Sequence, residues 1–214
     1  MIGRGHRRLA AAVAAAAWLL SGGAQAGAQS EEQLAPSVAA GLQRAIADHP
    51  VPPDYVDRAD LQPWLAEMAP RLPARIADAR DRRELLATIH YEAQRAGLDP
   101  QLVLAVMQVE SGFKKFAVST ADARGYMQVM PFWVRQIGKP DQNLFNLRTN
   151  LRYGCTILRH YLDRESGDLY RALGRYNGSL GRPEYPSAVV AAMHRWQYAA
   201  APAAARTAAT VSAR

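Results

Sequence analysis

Residues 99–112 read DPQLVLAVMQVESG, and this stretch decides the fold class. Asp99 followed by Pro100 is typical of a helix start, because aspartate caps the first amide groups and proline fits the first helical position. Apolar residues then occur on nearly every side of the predicted helix, which indicates that it is buried. Gly112 can adopt the left-handed conformation that ends a helix. The stretch therefore predicts a buried helix that carries the carboxylate of Glu110 at its C-terminal end.

Further helices are predicted on both sides of this one. From Asp81 onward, apolar residues recur at three- and four-residue spacing until Gly97. Downstream, the same periodicity marks four segments, which are Pro131 to Ile137, Leu147 to Leu162, Leu169 to Tyr176 and Pro186 to Trp196. No segment alternates convincingly as a strand. With 214 residues, 49% of them hydrophobic, the chain is predicted to form one all-α domain with a real core.

The first 26 residues have the layout of a secretory signal peptide. Three arginines precede an apolar run from Leu9 to Leu20, and small residues then lead to Ala26. The run has about a dozen residues, whereas a membrane-spanning helix needs roughly 20. We therefore expect cleavage after Ala26, export to the periplasm and no stable membrane span, with an uncleaved anchor as the alternative.

Two further segments flank the predicted run of helices. Residues 27–80 contain several prolines, which predict short helices and turns in a helical or linker region. Residues 198–214 are rich in alanine and show no sustained apolar period, so a disordered tail is expected.

Charge and cysteine content restrict the possible partners. The net charge is +7, and removal of the three leader arginines leaves +4. This charge suits anionic cell-wall polymers or nucleic acid. No run of basic residues interleaved with aromatics is present, so we expect no nucleic-acid partner. The single cysteine, Cys155, cannot form an internal disulfide and is predicted to be a buried structural thiol, and the five histidines show no metal-ligand spacing, so neither a metal nor a cofactor is expected.

Glu110 is the residue whose setting predicts chemistry. Burial and the negative end of the helix dipole both raise the pKa of a carboxyl group, which favours a neutral acid near pH 6 to 7. Such an acid can protonate a glycosidic oxygen. The alternative for this residue taken alone is a structural ion pair with an arginine.

Four short runs resemble a known family. They are ESGF at residues 110–113, AVS at 117–119, GYMQVMP at 125–131 and RYNG at 175–178. In order and approximate spacing, they resemble family 1 of the lytic transglycosylases, the lysozyme-like soluble lytic transglycosylase (SLT) domain, over about residues 83 to 197. The NLRYG run at residues 150–154 is similar to a further element of that family.

The resemblance implies a role for each matching residue. Glu110 would be the catalytic acid and later the base, and Ser119 would lie close to it near the scissile sugar. Tyr176 would hydrogen-bond toward the catalytic carboxyl group. The remaining substrate-binding residues implied are Gln128 and Met130, which would line the cleft, and Asn177, which would hold the same wall as Tyr176. Phe113, Met127 and Trp133 are instead expected to be core residues.

Three positions depart from the family pattern. Tyr126 replaces a leucine, Asp122 stands where glycine is common, and Arg175 replaces an alanine. None of these changes removes a catalytic group. Arg175 places a cation near the predicted cleft, where it could meet a carboxylate of a peptide stem.

The resemblance also implies the reaction. Glu110 would protonate the β-1,4 bond between N-acetylmuramic acid and N-acetylglucosamine in peptidoglycan glycan strands, and 1,6-anhydromuramic acid would form intramolecularly. Two alternatives stay open at this stage. The first is a hydrolytic lysozyme-like muramidase. The second is a non-catalytic peptidoglycan-binding or secretion-apparatus accessory protein, and secretion or cell-wall machinery is also a candidate partner of an active enzyme.

Overall fold

The computed structural model describes residues 29–47 and 50–199. In this part of the chain, eight α-helices are joined by turns and two short 3-10 helices, Tyr55–Asp57 and Ala69–Arg71. The α-helices are α1 (Pro36–Ile46), α2 (Gln62–Met68), α3 (Ala79–Arg95), α4 (Pro100–Glu110), α5 (Pro131–Ile137), α6 (Leu147–Arg164), α7 (Leu169–Asn177) and α8 (Glu184–Arg195). Extended pairing among these residues is limited to two isolated bridges, Val118 with Arg124 and Arg124 with Val129. The predicted all-α class is confirmed.

Helix α4 is the buried centre of the fold, as its sequence predicted. Every residue from Leu102 to Met107 is buried, so this stretch of the helix has no solvent-exposed face. The Asp99 side chain accepts a hydrogen bond from the backbone N–H of Gln101 at 2.8 Å, and Gly112 ends the segment with a φ of 55°. Helices α3 and α8 pack against α4. The end of α4, and with it Glu110, is thereby fixed between neighbouring helices.

Helix α6 anchors the long turn that precedes α5. The Asn150 side chain accepts from the backbone N–H of Met127 at 2.8 Å and donates to the carbonyls of Arg124 and Leu144, each at 2.8 Å. One helical turn later, Gly154 lies directly under Met127. A Cβ atom at this glycine would lie 2.3 Å from the Met127 sulfur. The asparagine and the glycine of the 150–154 run therefore hold the 125–130 segment against the core.

Helix α1 is fixed to the rest of the molecule by two arginines. Glu92 is fully buried and forms a bidentate pair with Arg152, with N–O distances of 2.6 and 2.7 Å. Arg152 also donates to the carbonyl of Ala47 at 2.6 Å, and Arg95 donates to the carbonyl of Ala45 at 2.5 Å. Cations at the carbonyl end of a helix favour its dipole. Helix α1 is thus packed on α6 through a buried charge network.

Some of the predictions for the two ends of the chain fall on residues that the structure describes, and others do not. The short helices expected within residues 27–80 are present as α1, α2 and the two 3-10 helices. No helix among the described residues combines the length and the apolarity needed to cross a membrane. The predicted signal peptide at residues 1–26, and the tail from residue 200 onward, lie outside the described residues. Cys155 is buried, as expected of a structural thiol.

Candidate active site

Glu110 is the last residue of α4, and its carboxylate faces the start of α8. Its Oε1 atom accepts a hydrogen bond from the hydroxyl of Tyr185 at 2.5 Å. Tyr185 is itself buried, in the first turn of α8. No lysine or arginine among the described residues forms an ion pair with Glu110. The alternative of a structural salt bridge at this residue is therefore wrong.

The surroundings of Glu110 keep it protonated. Burial raises the pKa of this carboxyl group to about 8, and the hydrogen bond from Tyr185 offsets part of that rise. Neither cause involves another ionised side chain. The sequence predicted a neutral acid near pH 6 to 7, and the pKa of about 8 lies above this range because desolvation of the carboxyl group outweighs the hydrogen bond from Tyr185. At neutral pH, Glu110 can therefore donate a proton.

Tyr176 does not make the contact that the family resemblance implied. Its hydroxyl donates to the backbone carbonyl of Met127 at 2.8 Å, and the phenol on Glu110 belongs to Tyr185. Burial raises the pKa of both phenols well above the ordinary tyrosine value, so both remain donors. Tyr176 thus ties α7 to the 125–130 segment. Sequence reasoning missed Tyr185, and its one local signal is an aromatic residue with a polar tip at the start of a helix.

Ser119 and Gln128 both stabilise the turn between α4 and α5. The Ser119 hydroxyl oxygen accepts from the backbone N–H groups of Ala121 and Ala123, at 3.2 and 3.0 Å. The Gln128 side-chain amide donates to the carbonyls of Ala117 and Gly125, at 3.2 and 2.9 Å. No hydrogen bond joins Ser119 to Glu110 in the described part of the chain. The Ser119 hydroxyl can still donate its proton, and the side-chain carbonyl oxygen of Gln128 can still accept a hydrogen bond, so both are available to a substrate.

Met130 and Asn177 are the two remaining residues that the resemblance implied for substrate binding. Met130 is partly exposed and immediately precedes α5. Asn177 is the last residue of α7 and is only 4% exposed. Its side-chain amide forms no hydrogen bond within the described residues, and its polar atoms are not among those that are fully buried without a partner, so they keep some contact with solvent. Such an amide is suited to hold a ligand group.

The expected core residues are confirmed, and one buried contact was not foreseen. Phe113, Met127 and Trp133 are each at most 3% exposed. The Trp133 indole N–H donates to the side chain of Gln29 at 2.6 Å, and the amide of Gln29 donates to the backbone carbonyl of Tyr176. The first described residue therefore supports the wall formed by α5 and α7. The pairing spans more than a hundred positions, and nothing local in the sequence indicates it.

Arg175 does not offer a free cation. Its guanidinium pairs with Glu165, and Arg171 pairs with the same carboxylate. These hydrogen bonds also lower the pKa of Glu165. Arg175 is thus already paired in this conformation, but two guanidinium groups share one carboxylate and the cluster keeps a net positive charge, so its contact with a peptide-stem carboxylate stays a prediction.

Two other carboxylates are paired with arginines, and two cavities are lined by residues other than Glu110. Asp122 and Asp163 are exposed and paired with arginines. The largest cavity identified, about 920 Å³, lies between residues 50–56 and the starts of α3 and α6. A second cavity of about 420 Å³ adjoins the segment after Glu110 and is lined by Phe113, Lys114, Lys115 and Tyr126, among others. Glu110 lines neither cavity. Among the described residues, no three His, Cys, Asp or Glu side chains are grouped as metal ligands would be.

About half of the chain is similar to known proteins. Residues 87–192 match the model of the transglycosylase SLT domain. Over 115 residues, which cover 46% of this chain, the sequence is 49% identical to membrane-bound lytic murein transglycosylase C of Haemophilus influenzae and 36% identical to the protein of that name in Actinobacillus pleuropneumoniae. The chain spans 32% of the length of these relatives.

A solved structure gives a weaker likeness. The lytic transglycosylase Slt of Pseudomonas aeruginosa, determined as an inactive mutant, aligns with a TM-score of 0.41 and 19% identity. The alignment covers 81% of this chain and 36% of that one. At this level of similarity, the overlay adds nothing about the site.

Proposed function

We propose that the chain is a peptidoglycan lytic transglycosylase, because residues 87–192 match the model of the transglycosylase SLT domain. It cleaves the β-1,4 bond between N-acetylmuramic acid and N-acetylglucosamine and forms 1,6-anhydromuramic acid. The observation that carries this proposal is the neutral carboxyl group of Glu110, which has a pKa of about 8 and a single phenol as its hydrogen-bond partner.

The first step of the reaction uses Glu110 as an acid. Its proton passes to the glycosidic oxygen as the bond from that oxygen to the muramic anomeric carbon breaks. Positive charge develops on the anomeric carbon, and the substrate's own N-acetyl group stabilises it. Glu110 becomes a carboxylate at this point. The hydrogen bond from Tyr185 favours that charged form, so Tyr185 serves as a positioning and stabilising donor.

The second step returns the proton. The muramic 6-hydroxyl attacks the anomeric carbon, and Glu110 takes the proton that this hydroxyl loses. No water is consumed, and Glu110 ends in its starting form. A second carboxylate is not needed when the substrate supplies the stabilising group, which agrees with the exposed and paired state of Asp122 and Asp163.

The substrate-binding groups are proposed from the same geometry. Asn177 and the Gln128 carbonyl oxygen can hold acetamido or hydroxyl groups, while Met130 supplies an apolar contact. The Ser119 hydroxyl can donate to a sugar oxygen. Tyr176 acts indirectly, through its bond to Met127.

Location and organisation follow as proposals of the same kind. The relatives are named membrane-bound murein transglycosylases, and a periplasmic, cell-wall-associated enzyme fits the predicted signal peptide at residues 1–26. Residues 83–197 would be the catalytic domain, preceded by the helical or linker region at 27–80. Peptidoglycan is the proposed substrate, and a secretion apparatus is a candidate partner.

Digestion of purified sacculi tests the function. Glu110→Gln should abolish release of soluble fragments, while Glu67→Gln, the same change at an exposed carboxylate on α2, should leave release unchanged. Mass spectrometry of the fragments then identifies the reaction, because anhydro ends are lighter than free reducing ends by one water. Free reducing ends would show a muramidase instead. An intact chain that binds sacculi without cleaving them would show a non-catalytic protein.

A further inference from the structure

An exposed apolar cluster projects from the segment that follows Glu110. Phe116 is 71% exposed and Val118 is 57% exposed. The Phe116 ring lies against Phe145, with centroids 5.8 Å apart and planes tilted by 51°. We call Phe116, Val118 and Phe145 the aromatic platform. A contiguous patch of this kind on a protein surface marks a binding site more often than a single exposed side chain does.

The backbone holds the platform outward. Ala117, between Phe116 and Val118, has a carbonyl that accepts from the backbone N–H of Gly125 at 2.9 Å and from the Gln128 amide at 3.2 Å. Val118 pairs with Arg124 in an isolated bridge. A loose loop could turn its apolar side chains inward, whereas these two hydrogen bonds fix the segment to the proposed substrate-binding turn.

Two lysines immediately precede the aromatic platform in the sequence. Lys114 and Lys115 are exposed, and neither forms an ion pair within the described residues. The Lys115 ammonium lies 5.4 Å from the Phe116 ring centroid. An exposed cation–π contact is weak, so the ammonium can move to an anion without disturbing the ring. Both lysines also line the cavity of about 420 Å³, together with Arg75 and with the acidic residues Asp81 and Glu84.

We propose that the aromatic platform and the two lysines form an accessory site for peptidoglycan, outside the cleavage site. A pyranose ring of the glycan strand stacks its C–H face on Phe116, with Phe145 at its edge, while Lys114 and Lys115 meet carboxylates of the peptide stem. A wall polymer is favoured over another protein because exposed aromatic rings lie beside lysines that form no ion pair within the described residues. The inference rests on the proposed function, and it explains how a long strand could be kept on the enzyme near Glu110.

Binding to sacculi tests the platform in a chain that does not cleave them. In the Glu110→Gln background, Phe116→Ala should weaken co-sedimentation with sacculi by roughly five- to tenfold, as expected for the loss of one well-buried aromatic contact. Phe116→Trp should restore it. Tyr170→Ala, which removes another exposed aromatic residue on α7, is the matched control and should leave binding unchanged.

The lysines are tested separately. Lys114→Ala with Lys115→Ala should weaken binding to peptide-bearing sacculi and have little effect on sacculi stripped of peptides by an amidase. With Glu110 intact, Phe116→Ala should slow digestion of sacculi but leave kcat/KM on a short soluble muropeptide unchanged. Equal losses on both substrates would overturn the inference, because they would indicate damage to the cleavage site or the fold.

The outcomes separate this inference from the proposed function. If the parent chain cleaves sacculi and Phe116→Ala binds and cleaves as the parent does, the platform is refuted and the function stands. If the parent does not cleave but binds sacculi through Phe116, the function fails and the platform stands. Unaltered binding to sacculi combined with lost binding to another envelope protein would show a protein-docking surface and overturn the inference.

Discussion

Replacement of Glu110 by glutamine tests the raised pKa through protein stability, without any substrate. In the unfolded chain, this carboxyl group has a pKa near 4.5, and in the folded protein the pKa is about 8. Between these values the folded state holds a proton that the unfolded state has lost. The free energy of unfolding therefore falls as the pH rises from about 4.5 to about 8 and is constant above it. Glutamine does not titrate, so the variant should escape this loss.

The size of the effect follows from the same two pKa values. The interval from 4.5 to pH 7, at 1.36 kcal/mol for each pH unit, gives about 3 kcal/mol. The side chain keeps some contact with solvent, which screens part of this amount. We therefore expect Glu110→Gln to gain about 1–3 kcal/mol over the parent at pH 7, relative to the difference between them near pH 4.5.

Urea unfolding followed by tryptophan fluorescence measures this gain. Parent, Glu110→Gln and Glu67→Gln are compared at several values between about pH 5 and pH 8. The difference between the parent and Glu110→Gln should widen steadily over this range, whereas the exposed Glu67 substitution should give a nearly constant difference. Parallel curves for parent and Glu110→Gln would refute the reasoning, because they would mean that the folded and unfolded chains hold this proton equally.

Two further substitutions test the surroundings of the site. Tyr185→Phe removes the hydrogen bond that lowers the pKa of Glu110, so this pKa should rise. The alkaline limb of the pH–activity profile should then move up by roughly one pH unit, which is the equivalent of one hydrogen bond to a charged group. A limb that stays in place or moves down would contradict this. Gly154→Ala would place a Cβ atom 2.8 Å from the Cβ of Met127, and we expect a loss of about 1–3 kcal/mol in urea unfolding. Gly41→Ala on α1, where no atom lies within 4 Å of the new Cβ, is its control and should be neutral or slightly stabilising, so equal losses at both glycines would argue against the packing explanation.

Local sequence was sufficient to predict most helices. Helix α5 begins and ends at the predicted residues, Pro131 and Ile137, because a proline at the start and a glycine after the end mark both boundaries. The buried character of α4 also followed from its sequence, since its apolar residues occupy every face. Helix α8 begins two residues earlier than predicted, at Glu184. Pro186 fits inside the first turn, where its missing N–H leaves no bond unmade.

The candidate site was predictable only in part. The position of Glu110 at the end of a buried helix could be inferred locally, but its phenol partner could not, because Tyr185 is 75 positions away and only packing brings α8 to it. Tyr176 lies at the predicted end of α7, yet its hydroxyl direction depends on where the 125–130 segment runs. The buried pair of Glu92 and Arg152 could not be predicted from neighbouring residues either, because only tertiary packing brings the two side chains together.

The charge network beneath α1 limits how the chain can be shortened. A recombinant fragment starting at residue 83 would match the family domain, but it would remove the carbonyl groups of Ala45 and Ala47 that Arg95 and Arg152 contact. Both guanidinium groups would keep Glu92 but lose one carbonyl acceptor each, and a buried polar group that loses a hydrogen-bond partner lowers the stability of the fold. Autonomous folding should therefore require the first helix, and deletion series that begin beyond it should yield insoluble or partly folded material.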